Sequence, residues 1–386
     1  MFDTTASIFA AASFSQTPKI DLPEIKNPWQ ALSYKGLEHL LQEYANGFSA
    51  TKHVMPFPRE VFQVDKDFQE GDVFQRALIL DTLLDFNPGM QNQLDDIISA
   101  EADYLFNARR KTGIGGWAYF PELRELPPDA DDLAQVMQVL LRAGYSKTAT
   151  PYFELALNVL LNDQTNADNG WESWIIPKNN QTEEQQLQTI WVNKAWGTGS
   201  DIEVVANLIY AFILFDNKRF AAAIERGLTF LLNSHKNSHC WESTWYYGDY
   251  YGTYVSLRAI CVANGPKSTI EGAVTFIENN RQPDGSWTER QESSPLQTAL
   301  ALQALSIGKK HLGLTIDEQW LQSSLNYLQQ TCDANGNWPS SPFIRMPMGR
   351  PMGFVHTILT YESAAITSNY VAKACNHLYQ NHINQN

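Results

Sequence analysis

Residues 281–305, RQPDGSWTERQESSPLQTALALQAL, join a glycine turn ending in Trp287 to a segment whose apolar positions have helical spacing. The turn recurs along the chain as GIGGW at Trp117, ADNGW at Trp171, HCWESTW at Trp241 and ANGNW at Trp338. The first tryptophans of successive turns lie 54, 70, 46 and 51 residues apart. The repeating unit is therefore a helix, a glycine-rich turn and a second helix.

The repeats predict an all-α protein. Helical segments such as DDLAQVMQVLLRAG (131–144) and SDIEVVANLIYAFILF (200–215) fill the intervals, and β-type alternation is scarce. A helical hairpin of about 50 residues, repeated five or six times, cannot bury its apolar face alone. Closure of the hairpins into a single α/α toroid buries that face, and an open superhelix is the alternative. In a toroid, residues at the starts of the inner helices point into a cavity.

No linker or change of composition divides the chain. We predict an N-terminal arm at residues 1–30 and a single domain at residues 31–386. The arm lacks a basic segment followed by an unbroken apolar run, so it is a poor secretory signal. No stretch has the roughly 18 uninterrupted apolar residues of a membrane-spanning helix. The expected location is the cytoplasm, either free in solution or resting peripherally on a membrane surface.

The composition excludes some classes of protein. Acidic side chains number 42 against 28 basic ones, a formal net charge of −14 that argues against sequence-independent binding to nucleic acid. The apolar fraction of 44% is enough for a sizeable core. The four cysteines, Cys240, Cys261, Cys332 and Cys375, lie far apart without C-x-x-C spacing. They are expected to be free thiols rather than disulfides or zinc ligands.

Three carboxylates, Asp129, Asp131 and Asp132, are gathered in PPDADDLA, residues 127–134. One interpretation is a doubled helix N-cap, because Asp131 opens a helical segment. The other is catalytic, because three acids so close cannot all ionise readily and one would remain a proton donor. Neighbouring turns are rich in Trp and Tyr, whose faces attract cations. A strong acid beside such rings suits protonation of an alkene and control of the resulting carbocation.

Three segments resemble squalene-hopene cyclases and related class II terpene cyclases. GGWAYFPELRELPPDADDLAQV (115–136) resembles the family's GGW, aromatic stretch and P-D-x-D-D-T-A. WESTWYYGDYYGTYVSLRAI (241–260) resembles its W-x-x-x-W and YGT segment, and residues 281–305 resemble its Q-x-x-D-G-x-W repeat followed by S-x-x-Q-T-A. The resemblance implies a toroid that cyclises a polyprenyl chain by proton-initiated chemistry, without cofactor or metal. The D-D-x-x-D motif of metal-dependent class I terpene synthases does not occur.

The resemblance also implies roles for individual residues. Asp131 matches the proton donor, and Asp129 and Asp132 match the flanking acids that raise its acidity. Leu133 replaces the family's Thr, and Asn207 in SDIEVVANL stands where squalene-hopene cyclases place a His that polarises the acid. Because Asn donates a hydrogen bond but is never a cation, we expect weaker tuning of the acid and reprotonation by water.

Squalene cyclases are two-barrel proteins, whereas this chain has residues for one barrel. In this it is similar to single-domain meroterpenoid cyclases of the merosterolic acid synthase type, which implies a prenylated aromatic acid as substrate. The stretch FIRMPMGRPMGFVH (343–356) sets Arg345 and Arg350 among three methionines. A flexible loop of this kind could cap an apolar entrance and hold an anionic head group. The alternative is a surface loop with solvated arginines.

The aromatic residues fall into two groups. The five repeat tryptophans are expected to brace pairs of helices. Better candidates to face a carbocation lie beside the repeated positions, with core packing as the alternative for each. They are Trp174, Trp191, Trp196, Trp245, Tyr246, Tyr247, Tyr251 and Tyr254.

Other toroidal proteins remain as alternatives. A zinc-dependent prenyltransferase needs an Asp, Cys and His set; Cys240 and Cys261 have acids and His239 nearby but no matching pattern. An α/α-barrel glycoside hydrolase would use Asp131 as general acid, yet no second isolated acid stands out. A toroidal binding module without catalysis is the third alternative.

Overall fold

The computed structural model describes residues 17–383 except residues 58, 63, 238, 290, 354 and 356. Helices dominate this part of the chain, and the predicted arm lies partly outside it. The helices are α1 Pro28–Ala45, α2 Arg59–Phe62, α3 Val73–Phe86, α4 Asp95–Asn107, α5 Ala130–Arg142, α6 Ser146–Asp163, α7 Glu183–Trp191, α8 Ile202–Asp216, α9 Ala221–Ser234, α10 Tyr250–Val262, α11 Lys267–Asn279, α12 Pro295–Leu312, α13 Glu318–Thr331 and α14 Ala364–Ile383. The strands are β1 His53–Pro56, β2 Phe68–Gly71, β3 Trp287–Glu289, β4 Glu292–Ser294, β5 Pro342–Met348 and β6 Thr357–Glu362. The division into an arm and a domain at residue 30 stays a prediction.

Six of the described helices form a closed inner ring. In order around the ring they are α3, α5, α8, α10, α12 and α14, and α14 packs back against α3. The helices α1, α4, α6, α9, α11 and α13 form an outer layer, each against an inner helix. The prediction of an all-α toroid is confirmed. The alternative of an open superhelix is wrong, because the last inner helix contacts the first.

The repeat tryptophans join the two layers. All five are fully buried. The indole Nε1 of Trp117, Trp241, Trp287 and Trp338 donates to the carbonyl oxygens of Leu105, Leu231, Ile277 and Leu328 at 2.7–2.9 Å. Each of these carbonyls lies in the last turn of an outer helix, where carbonyls lack intrahelical partners. The bracing role is confirmed for these four, whereas Trp171 Nε1 has no hydrogen-bond partner among the described residues.

In the stretch expected as a flexible loop, residues 343–348 belong to strand β5, while residues 354 and 356 lie outside the described part of the chain. β5 pairs with β6 in antiparallel register, with Arg345 opposite Thr360 and Met348 opposite Thr357. The barrel supplies partners on the other side, because Arg345 N donates to Trp245 O at 2.8 Å and Tyr247 N donates to Phe343 O at 2.9 Å. Hydrogen bonding on both sides explains why residues rich in Met and Pro are extended and ordered here.

The two ends of the ring differ in chemistry. At one end, the first turns of α3, α5 and α8 bring Phe74, Asp131 and Val204 to one cavity. At the other end, Asp85, Arg142 and Lys373 form a buried ion network. The four cysteines are free thiols, as expected. Within the described residues, no helix has the length and apolar character needed to cross a membrane.

Candidate active site

A cavity with about 580 Å³ of empty space lies at the N-terminal end of the inner helices. Its apolar and aromatic lining comprises Phe74, Tyr119, Phe120, Leu126, Trp174, Trp196, Val204, Trp245, Tyr246, Ile344 and Met346. Its polar lining comprises Asp129, Asp131, Asp132 and Ser173. The three predicted acids and four of the eight predicted aromatic residues therefore share one space.

The turn that carries the acids is held by two tryptophan loops. Asp129 N donates to Trp117 O at 2.9 Å, and Ala130 N donates to Ser173 O at 2.8 Å. Gly116 has a φ of +81°, and a Cβ there would lie 2.9 Å from the Cβ of Pro128. Only glycine fits such a left-handed position so close to another chain segment. The GGW motif thus lets the aromatic run pack directly against the acid turn.

Asp131 is the best-connected of the three acids. Its Oδ1 accepts a hydrogen bond from Asn207 Nδ2 at 2.7 Å, and its Oδ2 accepts one from the Tyr246 hydroxyl at 2.6 Å. Burial raises the pKa of Asp131 to about 6, and the two hydrogen bonds limit the rise because they stabilise the carboxylate. Asp131 therefore still holds a proton in mildly acidic solution. Once that proton is lost, two hydrogen-bond donors stabilise the carboxylate.

Asp129 and Asp132 form a second acidic pair beside it. Asp129 is the N-cap of α5 and accepts from Asp132 N at 2.8 Å, so the capping interpretation holds for this residue. Burial raises the pKa of Asp129 to about 7. Burial, followed by the charge of Asp129, raises the pKa of Asp132 well above its ordinary value. The pair consequently retains at least one proton at neutral pH.

Two further acids, Asp201 and Glu203, lie at the start of α8. Asp201 Oδ2 accepts from Ser173 Oγ at 2.6 Å and from Trp245 Nε1 at 2.7 Å, while Glu203 Oε1 accepts from Trp245 N at 2.7 Å. Burial, with the charge of Asp201, raises the pKa of Glu203 well above its ordinary value. These acids fix the Trp245 ring in the cavity wall. Their position at a helix start, like that of Asp131, is the sequence signal that could have identified them.

The other four predicted aromatic residues do not line the apolar cavity. Tyr251 lies behind Tyr246, with ring centroids 3.9 Å apart. Tyr254 is buried deeper, with its ring 5.4 Å from the Arg258 guanidinium. Tyr247 lines a neighbouring polar cavity. Trp191 ends α7, where Lys194 Nζ lies 5.0 Å from its ring.

The two predicted arginines lie beside the apolar cavity rather than in its wall. Along β5, Ile344 and Met346 line the apolar cavity, and Arg345 between them lines the polar cavity of about 960 Å³. Arg345 Nε has no hydrogen-bond partner among the described residues. Arg350 Nη2 lies 3.3 Å from Asp201 Oδ1, and its guanidinium lies 5.3 Å from the Trp245 ring centroid. Arg350 is thus held by an ion pair and a cation–π contact, unlike a freely solvated arginine.

Sequence reasoning missed much of the apolar wall outside the tryptophan turns. Phe74, Leu126, Val204 and Ile344 come from four separate segments, and nothing in their local sequence distinguishes them from core residues. Tyr119 and Phe120 carried a signal, because they lie in the GGWAYF stretch quoted for the resemblance. Tyr119 is held by Gln75 Nε2, which donates to its hydroxyl at 2.6 Å.

Comparison with protein families identifies the class of this protein. The sequence profile of the squalene-hopene cyclase C-terminal domain matches residues 85–365. The chain belongs to this family. It is accordingly a cyclase of the class II terpene type, and the family match favours that prediction over the glycoside hydrolase, prenyltransferase and binding-module alternatives. Within the described residues, no three His, Cys, Asp or Glu side chains are grouped as ligands for a metal ion.

Solved structures show the same fold. The type II terpene cyclase MstE from Scytonema is 17% identical over 92% of this chain and 99% of its own, with a TM-score of 0.66. A protein from Actinoplanes is 17% identical over 91% of this chain and 99% of its own, also with a TM-score of 0.66. ent-Copalyl diphosphate synthase from Streptomyces platensis is 17% identical over 79% of this chain and 50% of its own, with a TM-score of 0.55. No curated protein sequence matches this chain significantly.

Proposed function

We propose that this enzyme cyclises a polyprenyl chain by protonating an alkene with Asp131. The observation that carries the proposal is the position of this acid. It projects into a cavity walled by aromatic and aliphatic side chains, and burial raises its pKa to about 6. Water would otherwise compete for the proton and capture the cation, and the apolar wall excludes it.

The chemistry balances without a co-reactant. The alkene π electrons form a carbon–hydrogen bond to the Asp131 proton, and the Asp131 carboxylate keeps the electron pair of its broken O–H bond. The carbocation is attacked by further alkenes of the same chain. The last cation loses a proton to water, which leaves an isomer of the substrate, and Asp131 regains a proton from water. Asn207 and Tyr246 stabilise the Asp131 carboxylate through their hydrogen bonds. The faces of Trp174, Trp196 and Trp245 stabilise the positive charge.

The proposed substrate class is a prenylated aromatic acid. MstE, which has the same fold, has been solved in complex with geranylgeranyl dihydroxybenzoate as substrate. In this chain, Arg345 and Arg350 on the hairpin over the cavity are the proposed partners of a carboxylate. The unpaired Nε of Arg345 supports this role, because a buried guanidinium nitrogen favours an acceptor.

Product analysis tests the proposed reaction. Purified enzyme is incubated with geranylgeranylated hydroxybenzoates, free polyprenols and squalene, in water and in D₂O. We expect a cyclic isomer of the prenylated acid with unchanged mass in water and one added deuterium in D₂O. Products of changed mass, or recovery of all substrates by an enzyme that is folded by circular dichroism, would contradict the proposal.

A comparison of an acid and its methyl ester tests the head group. Losing a charge-assisted contact of about 1.5 to 3 kcal/mol weakens binding roughly ten- to a hundredfold. We expect Arg345→Met or Arg350→Met to raise the KM for the acid by this factor and to change the KM for the ester little. The control is Arg281→Met. It removes an arginine on the outer layer whose guanidinium lies 4.9 Å from the Trp320 ring centroid. Equal effects on acid and ester would remove the arginines from substrate recognition.

Peripheral contact with a membrane is proposed as the route of substrate uptake. On the hairpin of β1 and β2, Val54 and Phe68 are 51% and 58% exposed, and Ile190 on α7 is 61% exposed. Exposed apolar side chains of this size lower the free energy of a lipid-bound state. Co-sedimentation with phospholipid vesicles should detect the contact, and Phe68→Ser should weaken it. Equal sedimentation of both proteins would contradict a role for this hairpin.

A further inference from the structure

Arg258 is a buried cation on α10 that no described carboxylate pairs with directly. Its side chain is 8% exposed, and the rings of Tyr210 and Tyr254 lie 4.1 and 5.4 Å from the guanidinium. Nη2 donates to two side-chain amides, at 3.0 Å to Asn207 Oδ1 and at 3.2 Å to Gln138 Oε1. Arginine remains charged even when buried. Such a charge needs a partner in the protein interior.

Asn207 connects this cation to the acid. Its Oδ1 accepts from Arg258, and its Nδ2 donates to Asp131 Oδ1 at 2.7 Å. The orientation of the amide is determined by its neighbours, because a guanidinium only donates and a carboxylate only accepts. Gln138 Nε2 also donates to the backbone carbonyl of Asn207 at 3.1 Å and so holds the same turn of α8. The cation, the amide and the acid therefore form one hydrogen-bonded chain.

We propose that Arg258 is a positioning residue that sets the acidity of Asp131 through the Asn207 amide. A hydrogen bond from a cation to the amide oxygen polarises the amide, and the amide N–H becomes a stronger donor. The stronger donor stabilises the Asp131 carboxylate and so makes Asp131 a stronger acid. The positive charge that a histidine would carry at position 207 is thus present one side chain further from the acid. On this proposal the acidity of Asp131 depends on Arg258 as well as on Asn207.

Other charged and titratable groups face this chain from each neighbouring element. The acids oppose ionisation of Asp131, whereas the Tyr246 hydroxyl favours it by donating a hydrogen bond to the carboxylate. The groups near Asp131 and Arg258 are, by element, Asp129 and Asp132 at the start of α5; Asp201, Glu203 and Tyr210 at the start of α8 and along it; Tyr246 in the loop before α10; Tyr251 and Tyr254 on α10; Asp81 on α3; and Tyr370 on α14. The cations on adjacent elements are engaged elsewhere: Arg76 of α3 with Glu101, Lys373 of α14 with Asp81, and Arg350 with Asp201. Burial raises the pKa of Asp131, the hydrogen bonds from Tyr246 and Asn207 lower it, and the charge of Arg258 lowers it further.

The inference rests on the proposed function for its catalytic meaning, but the acidity of Asp131 can be measured without turnover. Carbon-13 NMR of aspartate-labelled enzyme reports the carboxyl pKa, and the Asp131 signal is assigned by its loss in Asp131→Asn. Arg258→Met removes the charge and keeps much of the side-chain length, while Arg258→Lys keeps the charge. We expect Arg258→Met to raise the pKa of Asp131 by about one unit, the low end of shifts caused by a nearby opposite charge. Arg258→Lys should shift it much less.

The pH profile of kcat supplies a signature that a merely structural role would not produce. In Arg258→Met the alkaline limb should move up by the same amount as the carboxyl pKa. The plateau at low pH should fall, because a weaker acid transfers its proton more slowly. A variant that is only less stable would lose activity at every pH without moving the limb. Arg281→Met on the outer layer controls for the loss of a stacked arginine.

Asn207→Leu keeps Arg258 but removes the side-chain amide that links Arg258 to Asp131. We expect it to raise the pKa of Asp131 as well, and the addition of Arg258→Met to this variant should have little further effect. If Arg258→Met fails to fold, Asn207→Leu and Arg258→Lys still decide the matter. An unchanged Asp131 pKa in Asn207→Leu, or in folded Arg258→Met, would overturn the inference. Shifted pKa values in an enzyme that converts no polyprenyl substrate would instead overturn the proposed function and leave the inference standing.

Discussion

Carboxylates are buried at both ends of the toroid, and their pKa values are shifted in opposite directions at the two ends. At the cavity end, Asp131 and its neighbours have raised pKa values, because burial is not balanced by a direct ion pair. At the far end, burial would raise the pKa of Asp81 and Asp85 too. The charges of Lys373 and Arg142 outweigh it and hold both pKa values below the ordinary one. Aspartates removed from solvent thus have raised pKa values at one end and lowered pKa values at the other.

The placement of cations accounts for this difference. Lys373 Nζ lies 2.9 Å from Asp81 Oδ2, Arg142 Nη2 lies 2.6 Å from Asp85 Oδ1, and His377 Nε2 lies 2.9 Å from Asp85 Oδ2. At the cavity end, Arg258 reaches Asp131 only through an amide. Carboxylates in direct contact with cations form a stable ion network. A carboxylic acid that is linked to a cation through an amide can still lose and regain its proton.

The largest effect is expected from Asp131→Asn on turnover. The amide keeps the shape and volume of the acid but has no dissociable proton, so kcat should fall by roughly three or more powers of ten. Steady-state kinetics with the cyclised substrate measures it, and Asp65→Asn, at an exposed loop position, is the matched control. Retention of more than a tenth of wild-type activity in the folded variant would assign proton donation to another residue.

The next effect concerns stability at the far end. Lys373→Met leaves Asp81 and Asp85 with fewer counter-charges, and breaking a buried ion pair costs about 3 to 5 kcal/mol. Urea denaturation measures the free energy of unfolding. Lys309→Met, which removes a more exposed ion pair with Glu278, should cost less than about 1 kcal/mol. Similar losses in the two variants would contradict the distinction between a buried network and an outer ion pair.

A smaller effect of opposite sign is expected at the cavity end. The folded pKa of Asp131 is about 6, above its ordinary value of 3.8, so this acid favours folding at low pH and loses that contribution as pH rises through 6. Asp131→Asn should therefore stabilise the protein by up to about 3 kcal/mol at pH 7.5, and the gain should shrink toward pH 4. Asp81→Asn should destabilise it at pH 7.5, because Lys373 loses an anion. A loss of stability in both variants would contradict the difference between the two ends of the toroid.

The finest test is the pH dependence of turnover. A general acid must be protonated, and the pKa of Asp131 is raised to about 6. The rate should be highest below that pH and fall by about tenfold for each further unit above it. Bound substrate excludes water and moves the limb upward, so it should appear at pH 6 or slightly higher. A limb near pH 4 would show that Asp131 has the acidity of an exposed aspartate.

The repeated parts of the molecule were the parts that could be predicted from the sequence. Four of the five tryptophan turns carry a glycine and four of the tryptophans brace an outer helix, so local pattern was enough to predict the toroid. Helix starts were enough to bring the acid turn into its cavity. The positions of Tyr251 and Tyr254 were harder to predict. A residue in the cavity wall and a residue in the core can lie one helical turn apart, and the sequence pattern does not distinguish them. Arg258 stood in a quoted segment without a role, since its partner Asn207 is 51 residues away in the chain.

Closure of the ring has a consequence for how the protein is made. α14 packs against both α1 and α3, so the last described helix completes contacts with the first ones. Contacts between segments so far apart in sequence form slowly, because a long loop must be closed before they can be made. During synthesis the early hairpins stack with an open edge until α14 leaves the ribosome. The ring is therefore expected to close only after α14 has been made, and until then the edges of α1 and α3 that α14 covers stay exposed.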